Sequence, residues 1–139
     1  MHYVYFFIVW LLSMVISTFF LTHVTAGYDV GIKMTRKLDQ DGFLKANEAK
    51  KITRKYIVAI VFWTIFFLLG TYMAHRLDYG WAWWIGFAWP IVFGGKKHGA
   101  TLESITEYIE TNQTSFKDET SVTDFKRLIE LSFQKNSKT

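Results

Sequence analysis

The sequence predicts an all-α, polytopic membrane protein with about three transmembrane helices, the amino terminus outside and the carboxyl terminus inside, ending in a short amphipathic helical cytoplasmic tail. Three observations carry this. Half of the 139 residues are hydrophobic and 19% are aromatic, yet 20% are charged. The charges are segregated from long apolar runs, as in spans joined by polar loops. The basic residues crowd between the first two runs.

The first element, residues 1–28, is uncharged as far as Tyr28, and Tyr3 to Leu21 is apolar apart from Ser13, Ser17 and Thr18. A hydrocarbon core of about 30 Å needs about 20 helical residues, because lipid cannot satisfy backbone polar groups. The run has no basic flank before it and exceeds the ~7–15 residues of a signal core, so it is expected to be retained rather than cleaved at Val24-Thr25-Ala26. The second element, 29–55, is a basic cytoplasmic loop holding eight of the sixteen basic residues: Lys33, Arg36, Lys37, Lys45, Lys50, Lys51, Arg54 and Lys55. Basic segments beside spans stay cytoplasmic, which fixes the orientation.

The third element, 56–95, is a helical hairpin. Tyr56 to Ala74 is long enough to cross. Tyr79 to Phe93 reaches only about 23 Å at 1.5 Å per residue and holds Trp81, Trp83, Trp84 and Trp89, four of the six tryptophans. A crossing is preferred to a re-entrant segment, because thinning and interfacial anchors tolerate short spans. Ala82, Gly86, Pro90 and Gly94 recur every four residues, as do Gly70 and Ala74, and Ser13 and Ser17. Such small residues let backbones approach where no hydrophobic force separates helix from lipid. They are read as helix-packing faces, with the Ala82 ridge expected against the second span.

The fourth element, 96–139, is the tail. From Thr101 it carries seven acidic and five basic residues. Leu102, Ile105 and Ile109 form one stripe, with Thr101 as helix cap. Phe125, Leu128, Ile129 and Phe133 form another, following Thr123, with a polar loop at 112–120 between them. Either the two helices cover each other or lie against the membrane surface, or the second stripe binds a partner; its four residues are the partner-binding candidates.

Lys37 to Glu48 resembles a degenerate EF-hand calcium loop: Asp39, Asp41, Gly42, Leu44 and Glu48 match loop positions three, five, six, eight and twelve. Position one, a ligand in that family, is Lys37, and position nine is Lys45. A turn at Gly42, between an extension of the first span and an amphipathic start to the second, is the preferred reading.

Without cysteine there are no disulfides, thiolate metal sites or cysteine nucleophiles. The spans hold no ionisable group for a proton or ion relay. His2, His23, His75 and His98 lie at span edges rather than inside a bundle where haem is ligated. Neither a catalytic set nor a phosphate loop is recognisable, so no enzyme activity, cofactor or metal is expected. Nucleic acid is not expected either, since the net charge of +4 sits beside apolar runs, where anionic lipid explains it. The preferred function is that of an accessory or regulatory subunit of a larger complex in the bacterial inner membrane, acting through a membrane-protein partner or homo-oligomer. The three-span layout with a charged tail resembles that of phage holins, which implies a self-assembling, membrane-permeabilising alternative. A small channel or transporter component is the third.

Overall fold

The computed structural model describes residues 1–93 and 102–137. All regular elements among them are helical: α1 (His2–Ala26), a π-helical segment (Gly27–Met34), α2 (Thr35–Gln40), α3 (Glu48–Arg76), α4 (Gly80–Phe93), α5 (Leu102–Thr111), a 3-10 turn (Gln113–Ser115) and α6 (Glu119–Ser137). The helical stretches His2–Gln40 and Glu48–Arg76 are long and apolar enough to cross a membrane. Within the described residues α4 comprises 14 residues and is not one of these stretches.

Two helix stops follow from local chemistry. At the end of α3 the Tyr79 amide donates to the Ala74 carbonyl (2.8 Å) and the Asp78 amide to His75 (3.2 Å), with Asp78 left-handed at φ 63°. At the end of α2 the Phe43 amide donates to Leu38 (3.0 Å) and Gly42 to Asp39 (3.2 Å), with Gly42 at φ 77°. Both are paired-bond terminations in which one left-handed residue turns the chain and satisfies the last carbonyls. Glycine takes that conformation without the Cβ penalty, and Asp is among the few other residues that tolerate it.

The chain forms two compact units. The first, Met1–Gly27 with Ile57–Gly99, contains α1, most of α3, and α4. Its closest backbone approach is between α1 and α4, because both present small side chains there: Ser13 and Ser17 are fully buried, and Ala82, Gly86 and Pro90 are buried. α3 is held at greater distance by rings. Phe20 stacks on Phe67 (4.6 Å between centroids), Phe19 on Trp63 (4.9 Å), and Phe67 meets Trp83 and Phe87.

The second unit, Tyr28–Tyr56 with Ala100–Thr139, joins two stretches expected to be separate, the loop and the tail. Val30, Leu38, Leu44 and Ile52 from the loop share one core with Ile105, Tyr108, Ile109, Phe116 and Val122 from the tail. Leu44 and Phe116 form an isolated antiparallel bridge, flanked by bonds from the Lys45 amide to Ser115 (2.9 Å) and the Lys117 amide to Phe43 (3.0 Å).

Candidate functional site

In the first unit, the small-residue face of α4 meets α1. A Cβ added at Gly86 would lie 2.5 Å from the Trp10 carbonyl oxygen and 2.7 Å from the Ser13 Cβ, so only glycine permits this approach. The Ser13 hydroxyl donates to the Trp83 carbonyl. This differs from the expected packing of the ridge on the second span. The reason is that α3 presents rings to α4, and rings hold backbones apart. What Gly70 does on α3 is accept the Trp83 ring, which lies where its Cβ would be; Ala74 is buried beside it. Gly94 lies outside the described residues. Two buried polar atoms, Ser17 Oγ and Trp83 Nε1, have no hydrogen-bond partner among the described residues.

At the α3–α4 turn, Trp84 Nε1 donates to His75 Nε2 (3.0 Å) and His2 Nδ1 lies 3.3 Å from the Tyr79 hydroxyl. An open cavity of about 430 Å³ here is lined by His75, Asp78, Gly80, Trp81 and Trp84. His23 bonds its own helix at the Phe19 carbonyl (2.8 Å), and His98 lies outside the described residues. His2, His23 and His75 are thus engaged by a neighbouring ring, a hydroxyl and backbone. Among the described residues no three His, Asp or Glu side chains gather to hold a metal.

In the second unit, the acidic loop resembling an EF-hand is turned to other partners. One Glu48 oxygen accepts from Lys51 (2.8 Å) and the other from the Ser115 hydroxyl (2.8 Å), and these bonds hold its carboxyl below the usual range. Gly42 serves as the helix stop described above.

The tail stripe is also turned inward. Phe125, Ile129 and Phe133 are half-buried against the shared core, with Phe125 meeting Phe43 and Phe116. Of the four partner-binding candidates only Leu128 stands out, 56% exposed, with Leu131 one turn on at 54%. The stripe has found its cover in α5 and the loop, which sequence periodicity alone does not locate. α6 starts five residues earlier than expected, because Asp118 rather than Thr123 caps it. Asp118 Oδ1 accepts from the Ser121 amide and hydroxyl, both at 2.7 Å, and these bonds lower its carboxyl. Thr101, the expected cap of α5, lies outside the described residues.

The residues that fasten loop to tail carried no sequence signal. Tyr108, 2% exposed, bonds the buried Thr35 hydroxyl (2.6 Å). Burial pushes its phenol up to about 12. Thr35 in turn bonds the Gly31 carbonyl, and the Tyr56 ring occupies the place of a Cβ on Gly31. No protein-family model, curated protein or solved structure matches this chain.

Proposed function

We propose that the chain is a three-span protein of the bacterial inner membrane, α1, α3 and α4 crossing, that acts without catalysis as an accessory or regulatory subunit of a larger membrane complex. The observation that carries this reading is the shared core of loop and tail. Two stretches that fold together must lie on the same side of a membrane, so the chain leaving at Ile57 has to return before Leu102. The basic loop assigns that side to the cytoplasm. A folded cytoplasmic unit carried on an apolar hairpin has the build of a docking module. Its most exposed large apolar side chains among the described residues are Leu128 and Leu131, charged residues flanking both.

Single cysteines at Lys45 and Lys117 should both resist a membrane-impermeant label in intact cells, and one at Asp78 should react. A label that separates Lys45 from Lys117 would refute the topology. For association, the double variant Leu128→Asp, Leu131→Asp should insert and fold but lose partners that co-purify in mild detergent. It is a cleaner perturbation than truncation after Thr120, which would also strip Val122, Phe125, Ile129 and Phe133 from the core. A variant that retains every partner, or a wild-type chain that by itself releases trapped dye from vesicles, would refute the subunit reading, and the second result would favour the holin-like one.

A further inference from the structure

The eight loop cations are all exposed, and among the described residues two of them form ion pairs with acids. Lys33 pairs with Asp29 (3.4 Å) and Lys51 with Glu48 (2.8 Å). Arg36, Lys37, Lys50, Arg54 and Lys55 have no acidic partner among the described residues. The loop forms an antiparallel helical hairpin whose register is set by Gly31 against the Tyr56 ring and by the Gly42 stop.

Depth follows from helix geometry. On the continuous helix α3, Arg54 and Lys55 precede Tyr56 by about 1.5–3 Å along the axis, and Lys50 and Lys51 by about 8–9 Å. A head-group layer is about 5–8 Å thick on each side of the hydrocarbon. Two tiers of cations therefore fall at and just beyond that layer. On α3, Lys50, Lys51, Arg54 and Lys55 occupy one arc, while Ala49, Ile52 and Tyr56 on the opposite arc pack into the core. The tail in the same unit has the opposite sign, with seven acids against five bases from Thr101 on, so an anionic surface would draw in the hairpin and repel the tail.

We infer that the face formed by Arg36, Lys37, Lys50, Arg54 and Lys55 binds the phosphate head groups of anionic phospholipids. The inference rests on the membrane reading above. Its reach is set by position: Lys50, Arg54 and Lys55 lie within two turns of the apolar stretch on the same helix, where lipid phosphates are concentrated and a nucleic acid is not. Each cation near an anionic surface contributes about a fivefold factor in affinity at low ionic strength.

The test uses the full chain, purified in mild detergent and titrated with phosphatidylglycerol or phosphatidylcholine, with bound lipid counted by native mass spectrometry. The wild type should prefer phosphatidylglycerol, and the preference should shrink as salt rises. Lys50→Gln, Arg54→Gln, Lys55→Gln together should reduce it by up to about 100-fold. Lys50→Arg, Lys55→Arg should preserve it, as should a tail control, Lys117→Gln, Lys126→Gln, Arg127→Gln. Equal retention of both lipids, or an unchanged preference in the triple Gln variant, would overturn the inference. So would displacement of the lipid by inorganic phosphate, which would mark a soluble-anion site, or by a DNA oligonucleotide, which would mark a nucleic-acid surface. Alkaline extraction of the reconstituted chain separates the two levels: a chain washed off vesicles refutes the membrane reading and this inference together, while one that stays inserted without lipid preference refutes this inference alone.

Discussion

Replacing Gly86 by Ala puts one methyl group at the closest approach in the first unit. Its Cβ would sit 2.5 Å from the Trp10 carbonyl oxygen, about 0.9 Å short of ordinary contact at 3.4 Å, and 2.7 and 2.9 Å from Ser13 Cβ and Oγ. The nearest obstacle is backbone and cannot rotate aside, so α1 and α4 must separate or tilt. Overpacking of this kind costs about 1–3 kcal/mol. Separation also stretches the bond from the Ser13 hydroxyl to the Trp83 carbonyl, worth about 1 kcal/mol. Against this, Ala gains about 1 kcal/mol over Gly in a helix interior. The expected net loss is about 1–3 kcal/mol, which lowers the melting temperature by about 3–10 °C for a chain of this size. Tryptophan fluorescence during thermal unfolding in detergent measures it, with the exposed Val92→Leu as the control that should stay near wild type. Adding Ser13→Ala to Gly86→Ala should not restore stability, since the Trp10 carbonyl remains in the way. Equal melting of Gly86→Ala and Val92→Leu would refute the α1–α4 packing.

Two further predictions concern the second unit. Tyr108 has its phenol raised from 10.0 to about 12 by burial, so the folded state holds this proton more tightly than the unfolded one. The stability it adds is fully present below pH 10 and is lost as pH rises toward 12, up to about 3 kcal/mol in all. Helicity followed against pH should show that loss in the wild type and a smaller one in Tyr108→Phe, which should also lose about 1 kcal/mol at neutral pH with the bond to Thr35; identical alkaline profiles would remove the argument. Asp118→Ala should destabilise α6 by about 1 kcal/mol through loss of the cap, while Thr123→Ala should do little. Denaturant titrations in which Thr123→Ala costs the more would show that α6 begins elsewhere.

The helices were legible because their signals are local. Apolar runs of the right length mark α1 and α3, and Gly42 in a polar stretch marks a stop. The spacing of Ala82, Gly86 and Pro90 marks a face of α4, but not which helix it meets. That choice depends on the aromatic excess of α3, where Trp63 and Phe67 fill the space a close approach would need. The joining of loop and tail was illegible for a different reason. Its fastenings link residues far apart in the chain, Thr35 with Tyr108 being 73 apart. Neither a threonine nor a tyrosine announces such a partner. The tail stripe shows the same limit: periodicity identified a face needing cover, and the cover lay in α5 and the loop.

The status of α4 shows how a long-range contact decides what a local measure cannot. The 14 described residues of α4 give about 21 Å against a hydrocarbon core of about 30 Å. Judged by connectivity, the shared core at both ends of 57–101 requires any excursion into a membrane to be an even number of crossings. α3 supplies one, so in a bilayer α4 has to supply the other, or both must turn back together. The 29 residues of α3 argue against its turning back. On the three-span proposal the shortfall of α4 falls on the lipid, as local thinning beside the helix. Its composition fits that burden: Trp81, Trp84 and Trp89 are exposed, and tryptophan at head-group level anchors a span whose apolar length is short. The small-residue contact with α1 adds a second hold, because it ties the short helix to a long one through backbone approach rather than through its own grip on lipid. On this argument the Gly86 substitution loosens more than a packing contact. On the three-span proposal it also weakens what keeps α4 across the membrane, so Gly86→Ala should also raise labelling of a cysteine at Lys117 in intact cells, an effect that Val92→Leu should not share.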